Sequence, residues 1–193
     1  MKRVPKYISG TTGRGLLYAK DHRHHDVNDL GLFGAVDSSF ASCPDTAKSV
    51  TGYVFFMAGC PITWLSKIQP VVARNTTDAE YVAANEAAAE AAWIRNFLTE
   101  LRQMPTGPIT ILEDNTGAIS WAYDSTIRKR RRHIRVAYNY VRQEIEDGHI
   151  EIRYVKSVRN PADGFTKPLS GPDHLKFVKM LGMVDMEEEN VDR

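Results

Sequence analysis

Residues 51–66 read TGYVFFMAGCPITWLS, and this stretch decides the fold. Two runs of β-branched and aromatic residues, 51–57 and 62–66, are separated by Ala-Gly-Cys-Pro, which is the pattern of a β-hairpin. An earlier apolar run at residues 32–37 ends in a polar turn and indicates one more strand. Together the three runs predict an antiparallel three-stranded meander.

After this meander, helix and strand patterns alternate along the chain. The clearest helix spans residues 77–103, which are rich in Ala, Glu and Leu and contain neither Pro nor Gly. A strand at 109–112, a helix from Thr116, a helix at 134–147, a strand at 150–155 and a last helix near Pro161 follow. The order βββαβααβα predicts an α/β fold with a mixed five-stranded sheet and helices on both faces.

Length and composition limit the class of protein. The chain has 193 residues, 42% of them hydrophobic, which fits one globular domain with its own core. Cys43 and Cys60 are too few for a disulfide scaffold and indicate a reducing compartment. No apolar run approaches the ~18 residues that a membrane span needs, so we expect no membrane partner.

Positive charge is concentrated in one segment although the net charge is only +1. Residues 126–142 contain seven Lys or Arg residues and no acid. Such a cluster can bind phosphates while the whole molecule stays neutral. A solvated helix face explains it equally well.

Four carboxylates lie in separate segments, each near a predicted element end: Asp37, Glu80, Asp114 and Asp163. Taken singly, each has a structural explanation. Asp37 suits a local turn, Thr77 and Glu80 fit a capping box, and Asp114 and Asp163 suit helix starts.

Taken jointly, the same four residues indicate a metal centre. Asp37 and Asp114 follow strands at the sheet edge where α/β proteins bind ligands. Glu80 shares its helix face with alanines that pack on the sheet, where a carboxylate is costly unless a cation or donor meets it. Such oxygen ligands suit two Mg²⁺ ions, or Mn²⁺, which activate a water for in-line attack on phosphorus. We expect Asp37 to bridge the ions, Glu80 and Asp114 to complete one position, and Asp163 the other.

Several motifs occur in a characteristic order over nearly the whole chain. They are 7–11, 15–18, 49–56, 62–69, 79–83, 113–115, the basic segment with Lys129 and Tyr138, and 162–163 with 165–169. In this order they resemble the ribonuclease H domain of the reverse-transcriptase polyproteins of copia/pseudovirus-type LTR retrotransposons.

The resemblance implies an RNase H-like fold and a metal-dependent endonuclease that hydrolyses the RNA strand of RNA–DNA hybrids during reverse transcription. It implies Mg²⁺ held by Asp37, Glu80, Asp114 and Asp163, and a reverse transcriptase domain of the same polyprotein as partner. It also implies the end of the reverse transcriptase connection at 1–30 and an RNase H-like domain at 31–183, while the acidic composition of residues 184–193 predicts a flexible tail. We expect a cytoplasmic virus-like particle as the location, with the nucleus as the alternative.

A hybrid is recognised by its 2′-hydroxyls across a shallow minor groove and by backbone shape. Short polar side chains and basic residues near the expected centre are candidates for these contacts, although turn and cap roles explain the polar ones equally well. They are Ser38, Ser39, Asn75, Thr76, Thr77, Asn115, Thr116, Arg128, Lys129, Arg130, Arg132 and Arg159.

Two alternatives to the endonuclease stay open at this point. One is a catalytically silent module that binds hybrids or RNA, and the other is a different nuclease on the same fold. The four carboxylates favour an enzyme, because binding alone does not need such a concentration of negative charge.

Overall fold

The computed structural model describes residues 3–18, 31–103, 105–124 and 135–186. Its elements are α1 (Arg3–Ser9), β1 (Arg14–Leu16), β2 (Phe33–Ser39), β3 (Val50–Met57), β4 (Cys60–Ile68), α2 (Thr76–Glu100), β5 (Ile109–Glu113), α3 (Thr116–Tyr123), α4 (Arg135–Glu146), β6 (Ile150–Tyr154), a 3₁₀ turn (Ser157–Arg159), α5 (Asp163–Thr166), α6 (Gly171–Met180) and β7 (Met183–Asp185). The predicted order is confirmed from β2 to β6. The structure adds α1 and β1 before that series, and after β6 it has the short helix α5 followed by a separate helix, α6.

The main sheet has the strand order β4-β3-β2-β5-β6, with β2 at its centre. β2 is antiparallel to β3 and parallel to β5, and β6 is parallel to β5. The predicted hairpin is formed by β3 and β4, with Met57 paired to Cys60. Ala58 and Gly59 both have positive φ, as a two-residue type I′ turn requires, so the turn is shorter than the predicted one.

Helices cover both faces of this sheet, as the sequence predicts. On one face, α2 packs its alanines against Val36, Tyr53 and Phe55, and α3 and α4 extend the same core. On the other face, Val54 and Phe56 contact the segment around α5. The mixed five-stranded sheet with helices on both faces is therefore confirmed.

Gly52 lets α5 approach the sheet closely. This residue is paired with Asp37 across the β2–β3 ladder. A Cβ atom on Gly52 would lie 2.6 Å from Cγ2 of Thr166 and 2.9 Å from Cβ of Phe165. Only glycine at this position leaves room for α5 beside the central strand.

A second, two-stranded sheet joins the two ends of the described chain. β1 is antiparallel to β7, with Gly15 paired to Val184 and Arg14 paired to Asp185. The first two residues of the predicted tail, 184 and 185, therefore lie in β7. The sequence did not predict this strand, because a pairing of three residues with a distant segment leaves no local pattern. Residues 187–193 of that tail and residues 19–30 of the predicted connection lie outside the described residues.

Within the described ranges, no helix combines the length and apolarity needed to cross a bilayer.

We predict that Gly52→Ala forces α5 away from β3 and lowers the free energy of unfolding by about 1–3 kcal/mol, as overpacking does. Urea unfolding of the variant and of Gly107→Ala measures the difference. No atom lies within 4 Å of a Cβ built on Gly107, so that control stays within about 0.5 kcal/mol of the parent. Equal effects of the two substitutions would contradict the close approach.

Candidate metal centre

The register of β2 and β5 brings two of the carboxylates to the same edge of the sheet. The two strands are parallel, and Ala35 is paired with Leu112. Asp37 and Asp114 each lie two residues further along, with Asp37 still within β2 and Asp114 directly after the end of β5. Asp114 is therefore at the carboxyl end of its strand, as expected, whereas Asp37 lies two residues before the end of β2, which continues to Ser39 in its pairing with β3.

Glu80 enters from α2, which begins at Thr76 with Asn75 as its N-cap. The Asn75 side chain accepts a hydrogen bond of 2.9 Å from the backbone N–H of Asp78. A capping box of Thr77 and Glu80 is therefore not what starts this helix. Glu80 is instead only 7% exposed, on the face that packs against the sheet.

A neutral buried amide fixes the start of α2 against the hairpin. The Nε2 atom of Gln69 donates to Oγ1 of Thr51 at 3.0 Å and to the carbonyl of Ala79 at 2.9 Å. Ala79 directly precedes Glu80, so this amide sets the height of Glu80 above the sheet without adding charge.

A second neutral amide places Asp163. Asn160 is fully buried, and its Nδ2 donates to the carbonyl of Val36 at 2.8 Å. Its Oδ1 accepts a hydrogen bond of 3.0 Å from the backbone N–H of Ala162. One side chain thus joins the residue before Asp37 to the residue before Asp163.

The carboxylates converge in two overlapping groups. Asp37, Asp114 and Asp163 each place one oxygen within 4.8 Å of the others, and so do Glu80, Glu113 and Asp114. All four predicted residues therefore meet in one cluster, and Asp114 is common to both groups. The bridging role expected for Asp37 stays a prediction.

Burial and mutual repulsion raise the pKa values in this cluster. The pKa of Asp37 is raised to about 6, chiefly by burial, although a hydrogen bond from Thr166 and the charge of Lys167 oppose the rise. The pKa of Glu80 is raised to about 10 by burial and by Glu113, Asp37 and other neighbouring carboxylates. Burial also raises the pKa of Glu113 well above its usual range. Without a cation, part of the cluster therefore holds protons at neutral pH.

Lys167 supplies positive charge at the outer side of the cluster. Its Nζ lies 2.8 Å from Oδ1 of Asp163 and 3.5 Å from Oδ2 of Asp37. Thr166, one residue earlier, donates a hydrogen bond to the same Oδ2 of Asp37. α5 and the residue after it therefore neutralise and orient Asp37.

Five residues of the cluster and its supports were not predicted from the sequence: Glu113, Lys167, Thr166, Gln69 and Asn160. Glu113 had a readable signal, because it continues the alternation of the buried Ile109 and Ile111 along β5. Lys167 follows Asp163 by four residues, the spacing of a helical ion pair. The hydrogen bonds of the two amides join distant segments and have no local signal.

The residues of the cluster fit hard divalent cations. All of the ligating atoms are oxygens, which Mg²⁺ and Mn²⁺ prefer. Oε2 of Glu80 and Oε2 of Glu113 are buried and have no hydrogen-bond partner. A buried unpaired carboxylate oxygen is costly, and a cation would relieve that cost.

The residues predicted to contact substrate differ in their burial and in their structural roles. Ser38 is buried beside Glu80, and the Ser38 hydroxyl partly offsets the rise in the pKa of Glu80. Asn75 caps α2 and Asn115 caps α3, where the Asn115 side chain accepts from the N–H of Ala118. The other described candidates are at least partly exposed: Ser39, Thr76, Thr77, Thr116 and Arg159. Arg128, Lys129, Arg130 and Arg132 lie outside the described residues.

The N-termini of α2 and α3 lie side by side. A Cβ atom on Gly117 would be 3.0 Å from Oγ1 of Thr77, so only a glycine permits this contact without displacement. The exposed Thr76 and Thr116 therefore belong to one polar surface next to the cluster.

Comparison with known proteins identifies the relatives of this chain. No protein-family model matches it. The retrovirus-related Pol polyprotein from transposon RE1 of Arabidopsis thaliana is 32% identical over 183 residues, which are 95% of this chain and 12% of that polyprotein. The chain thus spans about an eighth of the length of this curated relative. The predicted resemblance to copia-type retrotransposon Pol polyproteins is confirmed as homology over most of the chain.

Two solved structures share the fold. An RNase H1 isolated from compost by a metagenomic approach has a TM-score of 0.53 and 13% identity, over 70% of this chain and 91% of that one. The foamy viral protease-reverse transcriptase in complex with an RNA/DNA hybrid has a TM-score of 0.51 and 12% identity, over 74% of this chain and 20% of that one. The RNase H-like fold is therefore confirmed.

We predict that the metal-free protein loses stability as the pH rises. Because Asp37 and Glu80 have higher pKa values in the folded state than in the unfolded state, the folded state binds more protons, and this stabilisation disappears as pH rises through about 6 and then about 10. Thermal unfolding in chelator between about pH 5 and pH 9 measures the slope. Glu80→Gln should flatten it and the exposed Glu100→Gln should not. Stability that rises over this range would contradict the prediction.

We predict that Lys167→Met lowers the stability of the metal-free protein by up to about 1 kcal/mol, a modest value because the ammonium is partly exposed. Lys176→Met is the matched control, because Lys176 lies 3.0 Å from the exposed Asp173 and away from the cluster. Chemical unfolding in chelator distinguishes them, and saturating Mg²⁺ should reduce the loss in Lys167→Met. Identical unfolding of the two variants would show that Lys167 does not counter the charge of the cluster.

Proposed function

We propose that this chain, a homologue of copia-type retrotransposon Pol polyproteins with an RNase H-like fold, is an endonuclease that hydrolyses the RNA strand of RNA–DNA hybrids. The convergence of carboxylates from β2, α2, β5 and the start of α5 on one cluster carries this proposal. A module that only binds nucleic acid gains nothing from buried carboxylates that repel phosphate.

Asp37, Glu80, Asp114 and Asp163 would hold two divalent cations, with Mg²⁺ as the expected ion and Mn²⁺ as the substitute. When bound, such ions supply an activated water for in-line attack on phosphorus and stabilise the leaving 3′ oxygen. The chain itself holds the ligands at fixed spacing through the β2–β5 register and the Asn160 hydrogen bonds. No side chain needs to act as a nucleophile.

Thr76 and Thr116, on the surface formed by the N-termini of α2 and α3, would contact the hybrid together with Ser39, Asn75, Thr77 and Asn115. Short hydroxyl and amide groups can donate to and accept from 2′-hydroxyls, which distinguish RNA from DNA. Helix N-termini also present free backbone N–H groups that suit phosphate. The foamy viral neighbour, solved with an RNA/DNA hybrid, supports this class of substrate.

The basic residues Arg128, Lys129, Arg130, Arg132 and Arg159 would hold phosphates by charge, so hybrid binding should weaken as salt rises. A reverse transcriptase domain of the same polyprotein would position the hybrid, because the chain corresponds to about an eighth of its polyprotein relative. The proposed place of action is a cytoplasmic virus-like particle, with the nucleus as the alternative.

A catalytically silent hybrid- or RNA-binding module is the second candidate. The observation that favours it is Lys167, whose ammonium contacts both Asp37 and Asp163 and neutralises part of the cluster without a metal.

We predict that the protein cleaves a labelled RNA–DNA hybrid in Mg²⁺ or Mn²⁺ but leaves duplex RNA and duplex DNA intact. Asp114→Asn should lower the rate about 100-fold or more, because Asp114 belongs to both carboxylate groups. Hybrid binding, measured by fluorescence anisotropy, should be retained in that variant.

Asp173→Asn is the matched control, since Asp173 is exposed on α6 and outside the cluster. It should cleave as the parent does. Cleavage that persists in chelator or in Asp114→Asn would contradict the metal centre. Binding without cleavage by the parent protein would favour the silent module.

A further inference from the structure

Glu113 is a carboxylate in a place where strands carry apolar residues. It is the last residue of β5 and is fully buried. Ile111 and Ile109, two and four residues before it, point into the core beneath α2. Glu113 therefore faces the same side of the sheet as Glu80 does from the helix.

Only half of this carboxylate is accounted for by hydrogen bonds. Oε1 of Glu113 accepts a bond of 2.9 Å from the backbone N–H of Asn115. Oε2 is buried and has no hydrogen-bond partner, and the same holds for Oε2 of Glu80. Neither carboxylate is ion-paired with a lysine or arginine of the described ranges. Two buried carboxylate oxygens without hydrogen-bond partners, close to each other, are costly unless a cation binds them.

We propose that Glu113 is a fifth metal ligand, which forms an inner divalent-cation position together with Glu80 and Asp114. One oxygen from each of the three residues lies within 4.8 Å of the other two. Oxygens bound to one cation at about 2.0–2.6 Å are separated by no more than about 5 Å, so a single ion can contact all three.

This inner position differs in ligands from the outer group of Asp37, Asp114 and Asp163. Lys167 supplies positive charge to the outer group through Asp37 and Asp163, and no corresponding cation of the described residues serves the inner one. The inference rests on the proposed function only for the presence of divalent cations, not for cleavage.

The competing explanation is that Glu113 stays protonated and serves only to support the loop between β5 and α3. Glu113→Gln separates the two, because it keeps an oxygen for the N–H of Asn115 and removes the negative charge. Mn²⁺ is titrated calorimetrically into the nucleic-acid-free protein, and thermal unfolding is measured in chelator and in Mg²⁺.

If Glu113 is a metal ligand, Glu113→Gln should weaken the binding of one of two Mn²⁺ ions about 10- to 100-fold. It should also reduce the stabilisation of the protein by Mg²⁺. Its stability in chelator should equal or exceed that of the parent, because an amide avoids the cost of burying a carboxyl group that must either be desolvated as an anion or take up a proton. Glu113→Asp, which keeps the charge but withdraws it by one methylene, should give intermediate Mn²⁺ affinity. The exposed Glu100→Gln should bind Mn²⁺ as the parent does.

Parental affinity and stoichiometry in a folded Glu113→Gln would overturn the inference, as would a parent protein that binds no Mn²⁺. If the parent binds two ions and Glu113→Gln binds one, but no hybrid is cleaved, then the inner position stands and the proposed function fails. If hybrid is cleaved and Glu113→Gln binds Mn²⁺ normally, then only this inference fails.

Discussion

Repulsion among buried carboxylates is the constraint on which the rest of this structure depends. Two like charges about 4 Å apart repel by roughly 4 kcal/mol at an effective dielectric near 20, and this cluster contains five carboxylates. The fold opposes that repulsion with rigid backbone, because Asp37 lies in β2 and Asp114 directly follows β5, the strand hydrogen-bonded to β2. Protons, Lys167 and the expected cations then remove the remaining charge.

The residues that hold the carboxylate cluster in position carry no charge. Gln69 and Asn160 are buried amides that join the hairpin to α2 and the central strand to α5, respectively. An amide side chain can make two hydrogen bonds, so it can fix two segments without altering the local charge: Gln69 donates both of its bonds, and Asn160 donates one and accepts one. Gly52 contributes by its lack of a side chain, which admits Thr166 to Asp37. Geometry and charge are thus controlled by different residues.

Most of the fold could be predicted because its signals are local. The hairpin, the long alanine-rich helix and the strand before Asp114 each show their pattern within one segment, and their order along the chain gives the fold class. β1 and β7 could not be predicted, since each has three residues and pairs across almost the whole chain. Glu113 was overlooked because a charged residue at a buried strand position contradicts the usual alternation, and such contradictions mark sites that need a ligand.

The raised pKa values of Asp37 and Glu80 have a consequence for how cations enter. A carboxyl must give up its proton before it can bind a metal, so uptake of each ion expels hydrogen ions into the solvent. Occupancy of the proposed centre would therefore be set by an exchange between protons and the divalent cation. A more acidic medium would empty the proposed centre even when the concentration of the divalent cation is unchanged.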